Sequence, residues 1–168
     1  MISYQNNLPQ IDSTAFIAHN ATLIGKVILS KESSVWYNAV LRADLNTICV
    51  GEQTNLQEAV CIHVTKEHPT LIKNRVTIGH GAILHGCTIE DDVLIGMGAI
   101  ILDGAIIETG AMVGAGCVVP PNKKVPANHL ALGNPMKIIR PLTESELKCN
   151  IENALLYVEL SKEYQSQK

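Results

Sequence analysis

The sequence predicts an all-β solenoid, a parallel β-helix of hexapeptide repeats, closed by one C-terminal α-helix. Three observations carry this. An aliphatic residue recurs every six positions along most of the chain, a mostly small residue follows each one four places later, and a stretch of helical periodicity begins after Pro141. A helix cannot sustain a period of six, and a flat strand does not need one. Repeats of this length belong to solenoids, in which each short strand and its corner form one side of a coil.

Read in sixes, the aliphatic openers are Ile11, Ile17, Leu23, Leu29, Val35 and Leu41. The small residues are Ala15, Ala21, Val27, Ser33 and Ala39, with Leu45 breaking the habit. The frame slips by three, resumes at Val50, Leu56 and Ile62, is interrupted by "TKEHPT", and restarts at Ile72, Ile78 and Leu84. After one unit of five, the run Ile89, Ile95, Ile101, Ile107, Val113, Val119, Val125 is unbroken. Three hexapeptides make one triangular coil of about eighteen residues, with the openers stacked inside and glycines at corners that other residues resist. Beyond Pro141, Thr143 and Glu146 form a capping box, and Leu147, Ile151, Ala154, Leu155 and Val158 share one helical face. Residues 1–140 are therefore expected to form the β-helix. Residues 141–168 are expected to form an amphipathic helix laid on it or on a neighbouring subunit.

Composition narrows the function. The chain has 168 residues, the size of one domain, and a formal charge of −3 with no more than two basic residues in a row, which argues against a nucleic-acid partner. No apolar run is long enough to span a membrane, and "MISYQNNLPQ" lacks the basic start and apolar centre of a signal peptide. Five cysteines without framework spacing suit a reducing compartment. A soluble cytoplasmic protein is expected. One Phe and one Trp are few for this length, so the core must be narrow and layered.

"TIGHGAILHGCTI" carries two histidines, His80 and His85, at an interval of five that suits neither a helix face nor a strand face. The repeat resolves this. His63 and His85 each follow an opener, Ile62 and Leu84, that the frame places on one face in adjacent coils, with backbones about 4.8 Å apart. Imidazoles so stacked can share one metal ion with bonds of about 2.0–2.1 Å. His80 belongs to the preceding face, and is expected to reach such an ion only from another copy of the subunit. Three copies about a threefold axis would close three identical sites. His19, His68 and His129 read as surface residues, and Cys61 and Cys87 as buried structural thiols.

Taken together, "SSVWYNAVLRAD", "GEQTNLQEAVCIHV", "TIGHGAILHGCTI", "IGMGAIILDGAIIE" and "LGNPMKIIRPLTE" resemble the gamma-class carbonic anhydrase family, over roughly residues 9 to 147. The resemblance implies a homotrimer of left-handed β-helices with a metal ion at each interface. By motif, His63 and His85 would come from one subunit and His80 from the next. It further implies that Arg42 and Asp44 form a pair near the interface, that Gln57 hydrogen-bonds metal-bound solvent, and that Asn55 orients this glutamine. The implied function is that of a lyase, reversibly hydrating carbon dioxide to bicarbonate by metal-bound hydroxide at the trimer interfaces. Three neutral imidazoles leave coordination positions open, and such an ion lowers the pKa of bound water from 15.7 to about 7, as in the zinc carbonic anhydrases themselves. Zn2+, Fe2+ or Co2+ would suit the donors.

The chain departs from the family's best-known pattern at three places. The loop after His63 is short and lacks the shuttling glutamate of some members, leaving Glu67 or His68 as substitutes; Leu45 replaces a glutamate; and Ala131 stands where many relatives carry a tyrosine. Two other functions stay open on the same fold: an acyltransferase or acyl-CoA thioester hydrolase, and a non-catalytic metal-containing assembly subunit.

Overall fold

Successive aliphatic openers pair in register, one coil above another. On one face Leu23 lies beside Leu41, then Ile62, Leu84, Ile101 and Val119. On the next are Leu29, Val50, Ile72, Ile89, Ile107 and Val125, and on the third Ile17, Val35, Leu56, Ile78, Ile95, Val113 and Ala131. This computed structural model describes residues 1–167 as a left-handed parallel β-helix with the single helix Glu144–Ser166 on its flank. Most openers are wholly buried, and so are the small residues two places before them, such as Ala39, Ala82, Ala99 and Ala111. Each buried Ile or Leu contributes about 1.5–3 kcal/mol. A slip of one residue would turn an entire column outward, so the register is strongly set.

Corners turn on residues with positive φ, among them Gly81, Gly98, Gly104, Gly110 and Gly116, together with Asn38, Asp92, Asn122 and Asn128. The repeat is not uniform. Thr22–Leu29 and Val40–Val50 run on through a corner as continuous bent strands, joining two faces into one sheet. The second of these absorbs the three-residue slip in the frame and expels Leu45, which is exposed. The antiparallel pair His129–Leu132 and Lys137–Pro141 ends the third face, with Ala131 fully buried inside it.

Strand alternation corrects one expectation. Cys61 precedes its opener and faces outward, exposed, whereas Cys87 sits two places before Ile89 and is buried. Burial pushes the Cys87 thiol up to about 12.

The helix lies against the third face of its own chain. Its inner line is Asn150, Ala154, Val158 and Ser161, while Leu155 is exposed. The seat explains the rotation from the expected apolar face. Asn150 Nδ2 donates to the carbonyls of Asp92 (3.3 Å) and Gly110 (3.4 Å), corner groups that an aliphatic residue would leave unmet. Below, Trp36 meets Tyr157 and Tyr164 edge-on, with ring centroids 5.5 and 5.1 Å away. Among the described residues no helix is long and apolar enough to cross a membrane.

The capping box is formed, and Arg140 extends it by binding both Glu146 carboxylate oxygens at 2.7 and 2.8 Å. The Arg140 hydrogen bonds foremost, then the Thr143 N–H, hold the Glu146 carboxyl down at about 2. A depressed carboxyl stabilises above its ordinary value and loses that contribution as pH falls through the lowered one. Helix docking, followed by Tyr157 and Trp36 fluorescence, should therefore loosen between about pH 4.5 and 2. In Glu146→Gln this acid step should be absent.

Candidate metal centre

The strands Cys61–His63 and Ile83–His85 pair directly, with His63 opposite His85. Thr70, fully buried, clamps the two from behind. Its hydroxyl donates to the His63 carbonyl at 2.7 Å and accepts from the Gly86 N–H at 3.0 Å. On the outer surface His63 Nδ1 and His85 Nε2 face each other at 3.0 Å. The remaining nitrogen of each ring meets a carboxylate: His63 Nε2 lies 2.9 Å from Asp44 Oδ1, and His85 Nδ1 lies 2.6 Å from Asp103 Oδ1.

Arg42 pairs with the other oxygen of Asp44 within the same chain. Burial alone would raise the Asp44 carboxyl, but hydrogen bonds from His63 and Arg42 outweigh it and keep the group below its ordinary value. With both outer nitrogens tied to carboxylates, the inner pair presents lone pairs toward a common point. Two ligands of a tetrahedral ion with bonds of about 2.0–2.1 Å stand about 3.4 Å apart. The observed 3.0 Å separation is close to that. The donor set fits a divalent transition metal.

A second group sits around the corner. Gln57 and Asn55 are buried polar side chains on the third face. Gln57 Oε1 accepts the His80 backbone N–H at 3.2 Å, Gln57 Nε2 donates to Asn55 Oδ1 at 3.2 Å, and Asn55 Nδ2 donates to Thr77 Oγ1 at 2.9 Å. The His80 ring projects to the surface, its Nδ1 2.7 Å from Glu58 Oε2. A groove of about 240 Å³ opens beside Gln57, walled by Leu94, Met97 and Ala115 and approached by Asn153 of the helix.

The structure thus gathers Arg42, Asp44, His63 and His85 in one place, and Asn55, Gln57 and His80 in another. Among the described residues no three His, Cys, Asp or Glu side chains of one chain converge to hold an ion. Asp103 and Glu58 escaped the reading of the sequence. The signal was there, since each lies one coil from its histidine. Of the loop residues named as proton carriers, Glu67 is exposed, and His68 packs its Cβ beside Gly86.

Comparison with known proteins gives the chain a family. Residues 86–121 match the family described as "Bacterial transferase hexapeptide (six repeats)". A protein of Methanocaldococcus jannaschii named "Probable carbonic anhydrase" is 52% identical across 94% of this chain and 99% of its own length. The "Gamma carbonic anhydrase 1, mitochondrial" of Arabidopsis thaliana is 42% identical across 91% of this chain, which spans 58% of that longer protein. The chain belongs to the gamma-class carbonic anhydrase family. The crystal structure of a hexapeptide transferase family protein from Anaplasma phagocytophilum superposes on this gamma-class chain with a TM-score of 0.94 at 42% identity, covering 97% of it and 96% of the other chain.

Within this family member, Asn55 joins Gln57 to Thr77, and removing it leaves the Gln57 amide without its acceptor in a buried place. Asn55→Ala should lower stability by about 1–3 kcal/mol in urea unfolding. Substitution of Lys123, whose side chain is exposed, should leave the midpoint nearly unchanged.

Proposed function

We propose that the protein is a carbonic anhydrase-like enzyme that hydrates carbon dioxide to bicarbonate at a metal ion shared between copies of the chain in a homotrimer. His63 and His85 of one copy and His80 of the next would hold the ion, with Zn2+, Fe2+ or Co2+ as candidates. One observation carries this reading. Two imidazole nitrogens converge from one face while the third histidine stands on another face, beside a buried Gln–Asn pair.

The surfaces around the two groups support the assembly. Next to the histidines, Val40, Cys61, Ile83, Ile100 and Val118 stack in register as an apolar column on the outside of the sheet. Val40 and Ile83 are 37% and 41% exposed, which is costly to leave in water. The groove beside Gln57 offers apolar walls to receive such a column. Seating one on the other would bring His80 up to the neighbour's His63 and His85.

When bound, the ion would supply hydroxide near neutral pH, as zinc does in the carbonic anhydrase in which the pKa of bound water falls from 15.7 to about 7. The protein's own groups do the rest. Asp44 would fix the His63 ring, and against burial the hydrogen bonds from His63 and then Arg42 keep its carboxyl below the ordinary value. The Gln57 amide is held at its oxygen by the His80 N–H and at its nitrogen by Asn55, and would aim the attacking oxygen at the carbon of the substrate.

A second reading, acyl transfer or thioester hydrolysis, draws on the transferase description of the solved relative. Protein reconstituted anaerobically with zinc or iron(II) separates the two when assayed with carbon dioxide and with a panel of acyl-thioesters. Hydration of carbon dioxide is expected, falling in His85→Ala to the level of ion-free protein. Gln57→Ala should keep its ion and lose about 10²-fold in kcat. Activity on thioesters alone would reject the carbonic anhydrase reading.

Sharing of the ion between chains has its own test. His80→Ala chains retain His63 and His85, and His85→Ala chains retain His80. Coexpressed, they should rebuild sites that neither variant forms alone, read as recovered metal content. A site contained in one chain would show no recovery.

A further inference from the structure

Each of the three histidines assigned to the ion has a carboxylate against one ring nitrogen: Asp44 on His63, Asp103 on His85 and Glu58 on His80. The other histidines of the chain, His19, His68 and His129, have no Asp or Glu oxygen within 4.0 Å among the described residues. His129 turns its Nδ1 to a backbone carbonyl instead. Carboxylate pairing thus follows the proposed ligands and not histidines at large. Histidines that bind metals almost always donate the outer N–H to a carboxylate, a backbone carbonyl or water, which fixes the tautomer and the aim of the inner nitrogen.

We propose that Glu58 and Asp103 are positioning residues of the ion site, Glu58 setting the ring of His80 and Asp103 that of His85. This rests on the ligand assignment made above and adds two residues to it. The repeat places both. Glu58 and His80 occupy the same corner position in successive coils, where Leu56 pairs with Ile78 and the Gly81 N–H donates to the Glu58 carbonyl at 2.9 Å. Asp103 lies one coil beyond His85, and Gly86 lets it approach. A Cβ on Gly86 would sit 2.5 Å from Asp103 Oδ1.

Glu58 Oε2 gives a further reason. This oxygen is sealed from solvent and has no aligned hydrogen bond, although the His80 ring nitrogen is only 2.7 Å away. A buried carboxylate oxygen without a donor is unfavourable. Turning the His80 ring until Nδ1–H points at Oε2 satisfies it and leaves Nε2 facing outward. With all three carboxylates engaged, the nitrogens presented to the ion are His63 Nδ1, His85 Nε2 and His80 Nε2.

Cobalt(II) titration of the ion-free full-length protein tests this, read as affinity and as the visible spectrum of the bound ion. Circular dichroism and assembly mass serve as checks on folding. Glu58→Ala and Asp103→Asn should each weaken binding by about 10- to 100-fold and alter the cobalt bands. Glu58→Gln, which keeps an oxygen acceptor, should recover part of the affinity. Wild-type affinity and spectrum in Glu58→Ala and Asp103→Asn, with loss of the ion in His80→Ala, would overturn the positioning role and leave the ligand set standing. Wild-type binding by His80→Ala would overturn the ligand set itself.

Discussion

Everything in this molecule depends on the stacking of buried aliphatic side chains at the spacing of one β-rung. Because Leu41, Ile62, Leu84 and Ile101 sit in one column with no access to water, the residues beside them are locked to the same level on the outside. A side chain therefore meets the residue one coil away before it meets its neighbours in sequence. His63 faces His85, Glu58 faces His80 and His85 faces Asp103 for this one reason. The interior is chemically plain, and it is the ruler against which the polar groups are placed.

A perfectly regular coil would offer only flat walls. The departures from regularity gather where the chemistry is. The irregular part of Val40–Val50 begins after Ala43 and brings Asp44 to His63, and the extra residues between His63 and Thr70 return the chain so that Thr70 can clamp the two histidine strands. Asn46 ties these irregular segments together by donating to the Lys66 carbonyl at 3.0 Å. The shortened unit after Leu84 puts Gly86 at the place where Asp103 must pass. Insertions and a deletion are costly in a solenoid because each must be absorbed without disturbing the inner columns. Here they are confined to the corner next to the paired histidines.

The two polar groups face in different directions, and this division gives the surface its character. One side presents converging imidazoles beside an apolar column; the other presents a single imidazole beside a groove. The helix Glu144–Ser166 borders the second side, contributing Asn153 to the groove, and is itself seated through polar contacts from Asn150 to corner carbonyls. A helix on a β-helix flank meets turns of exposed backbone, so its inner line has to be part polar.

By itself the sequence determined the solenoid, its faces, the breaks in its repeat, and the shared level of His63 and His85, because all of these follow from a hydrophobic period that is local and self-consistent. The place of Gln57 one coil below the segment bearing His80 was legible for the same reason. What only the tertiary structure decided was direction: that Cys61 looks outward and Cys87 inward, that the helix buries Asn150 and Ser161 rather than Leu155, and that Asp103 and Glu58 turn toward the histidines. Period assigns a residue to a rung. Where its side chain points at a corner depends on backbone angles and on the neighbouring coil, and these exist only once the coils have stacked.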